Sequence, residues 1–246
     1  MSNLPPSSHT PRPGGALAAR PLHFFWVCDC SGSMDGQKIQ TLNFAINDCV
    51  APMVKVASEN PNAQVLVRAV KFSDGAQWHV ANPTPISQFQ WKPLAADGLT
   101  SMGAALQLVS EQLSSPPMPD RALQPVIVLL SDGQPTDDFD AGLKSLLDQP
   151  WGKRALRIAI AIGTDASKDV LQRFIAHKEI KVFEANNATS LVHYIRWSST
   201  VALKAASAVQ TGVGTTGTVL AAPLPPSPPP SPGGAAMLGP DPDDVW

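Results

Sequence analysis

Phe24-Phe25-Trp26-Val27-Cys28-Asp29-Cys30-Ser31-Gly32-Ser33-Met34 is the stretch that decides the fold. Its first half is an unbroken apolar run rich in aromatics. Such a run is what a strand buried on both faces requires, as in a parallel sheet. The run stops at Asp29, and hydroxyls follow at Ser31 and Ser33 with Gly32 between them. From about Lys38 to Ser58 the apolar residues Ile39, Leu42, Ile46, Cys49, Val50 and Met53 recur near helical spacing. A carboxylate and two hydroxyls therefore sit at the carboxyl end of a buried strand, on the loop that enters a helix. In open α/β sheets ligands bind at that place.

One carboxylate and two hydroxyls are hard oxygen donors, which suit Mg²⁺, Mn²⁺ or Ca²⁺. No Cys or His stands at a zinc-like spacing. The plainer reading is that Asp29 and the serines only cap the following helix. Two later stretches bear on that choice. Asp97-Gly98-Leu99-Thr100-Ser101-Met102-Gly103 places Thr100 at the head of an apolar, helix-spaced segment that runs to about Leu113. Val126-Ile127-Val128-Leu129-Leu130-Ser131-Asp132-Gly133 is a second buried strand that ends in a second carboxylate. Asp29, Asp132 and Thr100 are thus expected to converge on one ion.

Taken together these stretches resemble the von Willebrand factor type A (VWA) domains. The metal-ion-dependent adhesion site of that family reads Asp-x-Ser-x-Ser, then a distant Thr, then a more distant Asp. The matching positions are Asp29, Ser31, Ser33, Thr100 and Asp132. The resemblance covers roughly residues 21–208. The wording Leu-Leu-Ser-Asp-Gly-Gln-Pro-Thr-Asp-Asp and Gly-Leu-Thr-Ser-Met-Gly-Ala-Ala-Leu is most similar to the bacterial intracellular TerY-like branch, associated with tellurium-resistance clusters. The resemblance implies a doubly wound, mostly parallel α/β sheet with helices on both faces and one antiparallel edge strand. It implies a bound Mg²⁺, with Mn²⁺ or Ca²⁺ as alternatives, and a protein partner whose Glu or Asp completes the coordination. For the TerY-like branch it also implies a Ser/Thr kinase and a metal-dependent Ser/Thr phosphatase as partners. Ser31, Ser33 and Thr100 are then expected as direct ligands. Asp29 and Asp132 would act through water or by holding hydroxyls in place.

The chain has 246 residues, 43% of them hydrophobic, and a formal net charge of −2. That suffices for one α/β domain with a core, plus tails. Near-neutral charge argues against a general nucleic-acid or membrane-surface binder. No stretch is long and apolar enough to span a bilayer. The apolar run Ala16–Ala19 is too short for a secretory signal. Cys28, Cys30 and Cys49 are odd in number and do not suggest a disulfide scaffold. Cys28 and Cys30 flank Asp29 and are read as small buried hydrophobes rather than a metal pair. These features fit a reduced bacterial cytoplasm.

Four segments are expected: a disordered arm over 1–20, the VWA domain over 21–209, a Gly/Pro-rich linker over 210–240, and an acidic peptide over 241–246. Within the domain, strands are expected at 22–29, 62–73, 76–80, 125–131, 154–163 and 180–184. Helices are expected at 38–58, 100–113, 139–147, 167–177 and 187–209. Asp74-Gly75 is a hairpin signal that would turn the third strand antiparallel to the second. The stretch 82–93, with Pro83, Pro85 and Pro93, reads as irregular, and Asp35 as a helix cap. The alternation of strands and helices implies a parallel sheet covered on both faces by right-handed crossovers. Pro223 to Pro232 would form an extended proline spacer. Beyond it, Asp243, Asp244, Val245 and Trp246 form a candidate docking peptide, because Trp buries a large area with few rotors.

The leading reading is a metal-dependent, non-enzymatic interaction module. The rival is an aspartyl-phosphate phosphatase, with Asp29 as nucleophile. Those enzymes usually carry a second Asp two residues on as acid/base, where this chain has Ser31. His9, His23, His79, His177 and His193 are scattered and compose no evident triad. A third reading makes the metal purely structural and leaves binding to the tails.

Overall fold

The computed structural model describes residues 19–164, 166–177 and 179–207. The arm, linker and docking peptide expected from the sequence lie outside the described residues, except for Ala19 and Arg20. Arg20 opens the first strand: its amide donates to Asn62 O at 2.8 Å, and its guanidinium reaches Arg121 O and Ala122 O.

Among the described residues six strands form one sheet: β1 (Arg20–Asp29), β2 (Ala63–Phe72), β3 (Ala76–Pro85), β4 (Val126–Ser131), β5 (Leu156–Ile162) and β6 (Phe183–Ala185). Their order across the sheet is β3-β2-β1-β4-β5-β6. All neighbours run parallel except β2 and β3, which the turn at Asp74-Gly75 joins as a hairpin. The helices are α1 (Gln37–Ser58), α2 (Met102–Ser110), α3 (Phe139–Asp148), α4 (Pro150–Arg154), α5 (Lys168–Ile175) and α6 (Ala188–Ser207).

β1 is central, and the period-two alternation of its side chains feeds two cores. Phe24, Trp26 and Cys28 pack with Leu42, Ile46 and Met53 of α1 and Leu191 and Ile195 of α6. Phe25 and Val27 pack on the other face with Leu106 of α2, Leu146 of α3 and Phe174 of α5. Because both faces are covered, the run needs no polar alternation, and that is why the sequence is continuously apolar there.

Four expectations are corrected. β3 continues past Val80 to Pro85, where Leu66 pairs with Pro85, and a single 3₁₀ turn (Ile86–Gln88) follows. Prolines are tolerated here because β3 is an edge strand with one unpaired side. The segment at 180 does not join β6, because the Gln172 amide donates to Ile180 O and His177 O and ties that stretch to α5. α2 stops at Ser110, and three-residue bonds such as Leu113 N to Ser110 O tighten its end. Asp35 does not cap α1: the cap position is Gly36, whose φ of 81° is open to glycine at little strain.

His23 sits 6.1 Å from the Phe25 ring, and its Nδ1 is buried without a hydrogen-bond partner. Burial, reinforced by the nearby Arg68 guanidinium, lowers its pKa from 6.5 to about 4. A depressed folded-state pKa means the native protein takes up its proton later than the unfolded chain does. Stability is therefore lost as pH falls from 6.5 to about 4. The full effect of this one group is about 3 kcal/mol. Urea unfolding of the wild type and of His23→Leu at several pH values checks this. The variant should lose the part of the acid sensitivity that lies in that window, and equal slopes would show that His23 is not its source.

Candidate metal centre

The carboxyl ends of β1 and β4 are adjacent in the sheet, and this brings the two acidic positions together. Asp29, the last residue of β1, is fully buried. Its Oδ1 accepts from the Ser31 amide at 2.8 Å, and its Oδ2 accepts from the Ser131 hydroxyl at 2.5 Å. Asp132, one residue past β4, is 2% exposed. Its Oδ1 accepts from Ser33 Oγ at 2.8 Å, and its Oδ2 from Lys38 Nζ at 2.7 Å. Ser31 Oγ and Ser33 Oγ are 3.1 Å apart. Ser33 has one hydroxyl proton and gives it to Asp132, so Ser31 is the donor of that pair. A hydrogen-bonded chain thus runs Ser31 to Ser33 to Asp132.

Thr100 arrives on a third loop. Asp97 N donates to Cys30 O and Gly32 N to Gly98 O, which stitches this loop to the Asp29–Ser33 turn. Gly98 has φ 80°, and a Cβ there would lie 2.6 Å from Asp74 Oδ1, an oxygen that accepts from Leu99 N. Thr100 and Thr136 are tied by two bonds, Thr100 N to Thr136 Oγ1 and Thr136 N to Thr100 O. A Cβ on Gly133 would lie 3.3 Å from Thr100 Oγ1 and 3.9 Å from Ser33 Oγ. Glycine there keeps Thr100 and Ser33 facing one space. The Thr100 hydroxyl has no hydrogen bond among the described residues. The structure therefore brings all five sequence-derived residues to one edge of the sheet. The acidic C-terminal peptide lies outside the described residues.

The electrostatics fit a cation. Burial raises the Asp29 carboxyl above its ordinary pKa, hydrogen bonds from Ser131 and Ser31 oppose that rise, and the neighbouring Asp132 adds to it. The Lys38 ammonium pairs with Asp132, while Asp29 is held by hydrogen bonds from Ser31 and Ser131. With both carboxyls ionised, these three side chains carry more negative than positive charge. Its remaining donors are hydroxyls with free lone pairs. Among the described residues no group of three or more His, Cys, Asp or Glu side chains is placed to hold a metal. A metal at this edge would thus depend on the hydroxyls of Ser31, Ser33 and Thr100. Burial pushes the Cys28 thiol well above its ordinary pKa and Cys30 up to about 12.

The sequence reading passed over several residues that build this site. Lys38, Ser131 and Thr136 each touch a site residue. Asp137 accepts from Gly103 N and Ala104 N at 2.8 Å each and caps α2 from outside the helix. Ser131 and Asp137 stood inside the quoted wording around Asp132. Lys38 carried no local signal, because its partner is 94 residues away.

A mostly parallel six-stranded sheet, helices on both faces, and an Asp/Ser/Ser/Thr/Asp cluster at its carboxyl edge define an adhesion-type α/β module. The chain belongs to the von Willebrand factor type A domain family, whose model matches residues 25–196. Solved structures agree on the fold. A von Willebrand factor type A protein from Catenulispora acidiphila is 17% identical, with TM-score 0.55, covering 76% of this chain and 43% of that one. The ArnB paralog VWA2 from Sulfolobus acidocaldarius is 19% identical, with TM-score 0.52, covering 71% and 44%. Proximal thread matrix protein 1 from the mussel byssus, with a zinc-occupied MIDAS motif, is 18% identical, with TM-score 0.56, covering 76% and 46%. The chain thus spans less than half the length of each of these proteins. No functionally curated protein matches it. Among the described residues no helix is long and apolar enough to cross a membrane.

Proposed function

We propose that this chain is a divalent-metal-dependent protein-interaction module without catalytic activity of its own. The observation that carries the reading is the hydrogen-bonded chain from Ser31 through Ser33 to Asp132, faced by the unpartnered Thr100 hydroxyl. Ser31, Ser33 and Thr100 offer lone pairs directly. Asp29 and Asp132 orient them and supply charge. Hard oxygens of this kind favour Mg²⁺, with Mn²⁺ or Ca²⁺ as substitutes. The ion, when bound, supplies a Lewis-acidic centre with one face open to a carboxylate. The neutral hydroxyls leave that face electrophilic, so an Asp or Glu from a partner is attracted to it. Leu99, next to Thr100, is 59% exposed and gives the rim an apolar contact. The sequence similarity to TerY-like proteins, together with three buried, unpaired cysteines, supports an intracellular bacterial setting.

Asp29 is poorly disposed as a nucleophile, since both its oxygens are engaged and it is sealed from solvent. A phosphatase assay with Mg²⁺ tests that alternative directly. The interaction reading is tested by pulldown from the host followed by affinity measurements in Mg²⁺, in EDTA, with Thr100→Ala, and with Val245 and Trp246 deleted. Binding should be lost in EDTA and fall by about tenfold or more with Thr100→Ala, even though no charge is removed. Equal affinity in the first three conditions, with loss only on deletion, would transfer the binding role to the C-terminal peptide.

A further inference from the structure

Lys38 is the second residue of α1. A cation in the first turn opposes the helix macrodipole, and no acidic side chain in that turn offsets it. Its ammonium goes instead to Asp132 Oδ2 at 2.7 Å, with the lysine side chain 12% exposed and that of Asp132 fully buried. The other Asp132 oxygen accepts from Ser33. Each Asp132 oxygen therefore already has one partner, the ammonium on one and the Ser33 hydroxyl on the other. Any ion held by Ser31, Ser33 and Thr100 must share Asp132 with that ammonium.

We propose that Lys38 is a tethered cation that competes with the divalent ion for Asp132 and sets the metal affinity of the site. The inference rests on the metal-site reading given above. Like charges sharing a buried carboxylate repel strongly, because little solvent screens them. The four-carbon stem lets the ammonium swing away once an ion claims Asp132. The site stays closed by its own lysine at low metal and opens as the ion concentration rises. Lys38 is a positioning residue for Asp132, not a ligand.

The test uses the full chain and the metal ions alone, with no partner. Calorimetric titration with Mg²⁺ and Mn²⁺ compares the wild type with Lys38→Met, Lys38→Arg and Asp29→Asn. Lys38→Met keeps most of the stem and removes the charge, so it should bind Mg²⁺ about tenfold tighter or more. Lys38→Arg restores a cation and should return affinity to within about threefold of wild type. Melting adds a second readout: Mg²⁺ should raise the Tm of Lys38→Met more than that of the wild type. Lys38→Gln serves if the Met variant does not fold. Unchanged or weaker Mg²⁺ binding in the neutral variant, with binding lost in Asp29→Asn, would overturn the competition and leave the metal site standing. If Asp29→Asn binds as the wild type does, the metal-site reading fails and this proposal falls with it.

Discussion

Asp29→Asn should lower the affinity for Mg²⁺ by about a hundredfold while the domain stays folded. The choice of Asn follows from the packing. Asp29 is not at a loose surface edge: it is fully buried and accepts from Ser31 N and Ser131 Oγ. Asp29→Ala would abolish metal binding too, but it would also strand both donors, at about 1–3 kcal/mol for each buried group left unsatisfied. The amide of Asp29→Asn keeps an oxygen for Ser31 N. Its NH₂ can donate to Ser131 Oγ, which already accepts from Gly133 N and has a second lone pair. What disappears is one of the two carboxylates that give the site its negative surplus. With Lys38 still on Asp132, the remaining cluster is close to neutral and holds a divalent ion poorly. Calorimetry decides the matter, with circular dichroism to confirm the fold. Wild-type Mg²⁺ affinity in Asp29→Asn would remove Asp29 from the site.

The strands were legible because burial on both faces leaves a plain mark. Phe24 to Cys28 and Val126 to Leu130 have no polar interruption, and the structure places them side by side in the middle of the sheet. The five site residues were legible for a related reason. Each stands where an apolar run stops or a helix begins, and their joint spacing matches one family pattern. The edges of the sheet were harder to read. β3 is half exposed and carries prolines, so its sequence resembles a loop. β6 has three residues and owes its start to the side chain of Gln172, a contact with no local sequence signature.

The supporting shell was illegible for a different reason. Lys38 reads as one more polar residue on an amphipathic helix, and only the fold delivers it to Asp132. Asp137 reads as one of two successive acids. The structure separates them: Asp138 caps its own helix through Ala141 N, while Asp137 caps α2. Spacing along the chain carries donors and acceptors that are close in sequence. It does not carry partners that meet only after two loops are folded against each other.

That dependence makes the contact between α2 and α3 the place where a small change should do the most damage. Gly103 and Gly142 meet backbone to backbone. A Cβ on Gly142 would lie 2.3 Å from Gly103 O, and one on Gly103 would lie 2.3 Å from Asp138 O. Neither obstacle is a flexible side chain that can turn aside, so the helices must separate. Thr100 stands two residues before α2, and Asp132 leads the loop that enters α3. Separating the helices therefore strains the Asp137 cap and draws the two halves of the site apart. Gly142→Val should cost about 3 kcal/mol or more in denaturant unfolding. For a domain of this size that is a fall in Tm of about 6–12 °C. Mg²⁺ affinity should fall with it, although no ligand has been touched. Gly75→Ala is the control: nothing lies within 4 Å of its added Cβ, and its stability should stay within about 0.5 kcal/mol of wild type. If Gly142→Val melts with Gly75→Ala and binds Mg²⁺ normally, the glycine contact does not hold the site together, and the Thr100–Thr136 bonds and the Asp137 cap fix Thr100 against Asp132.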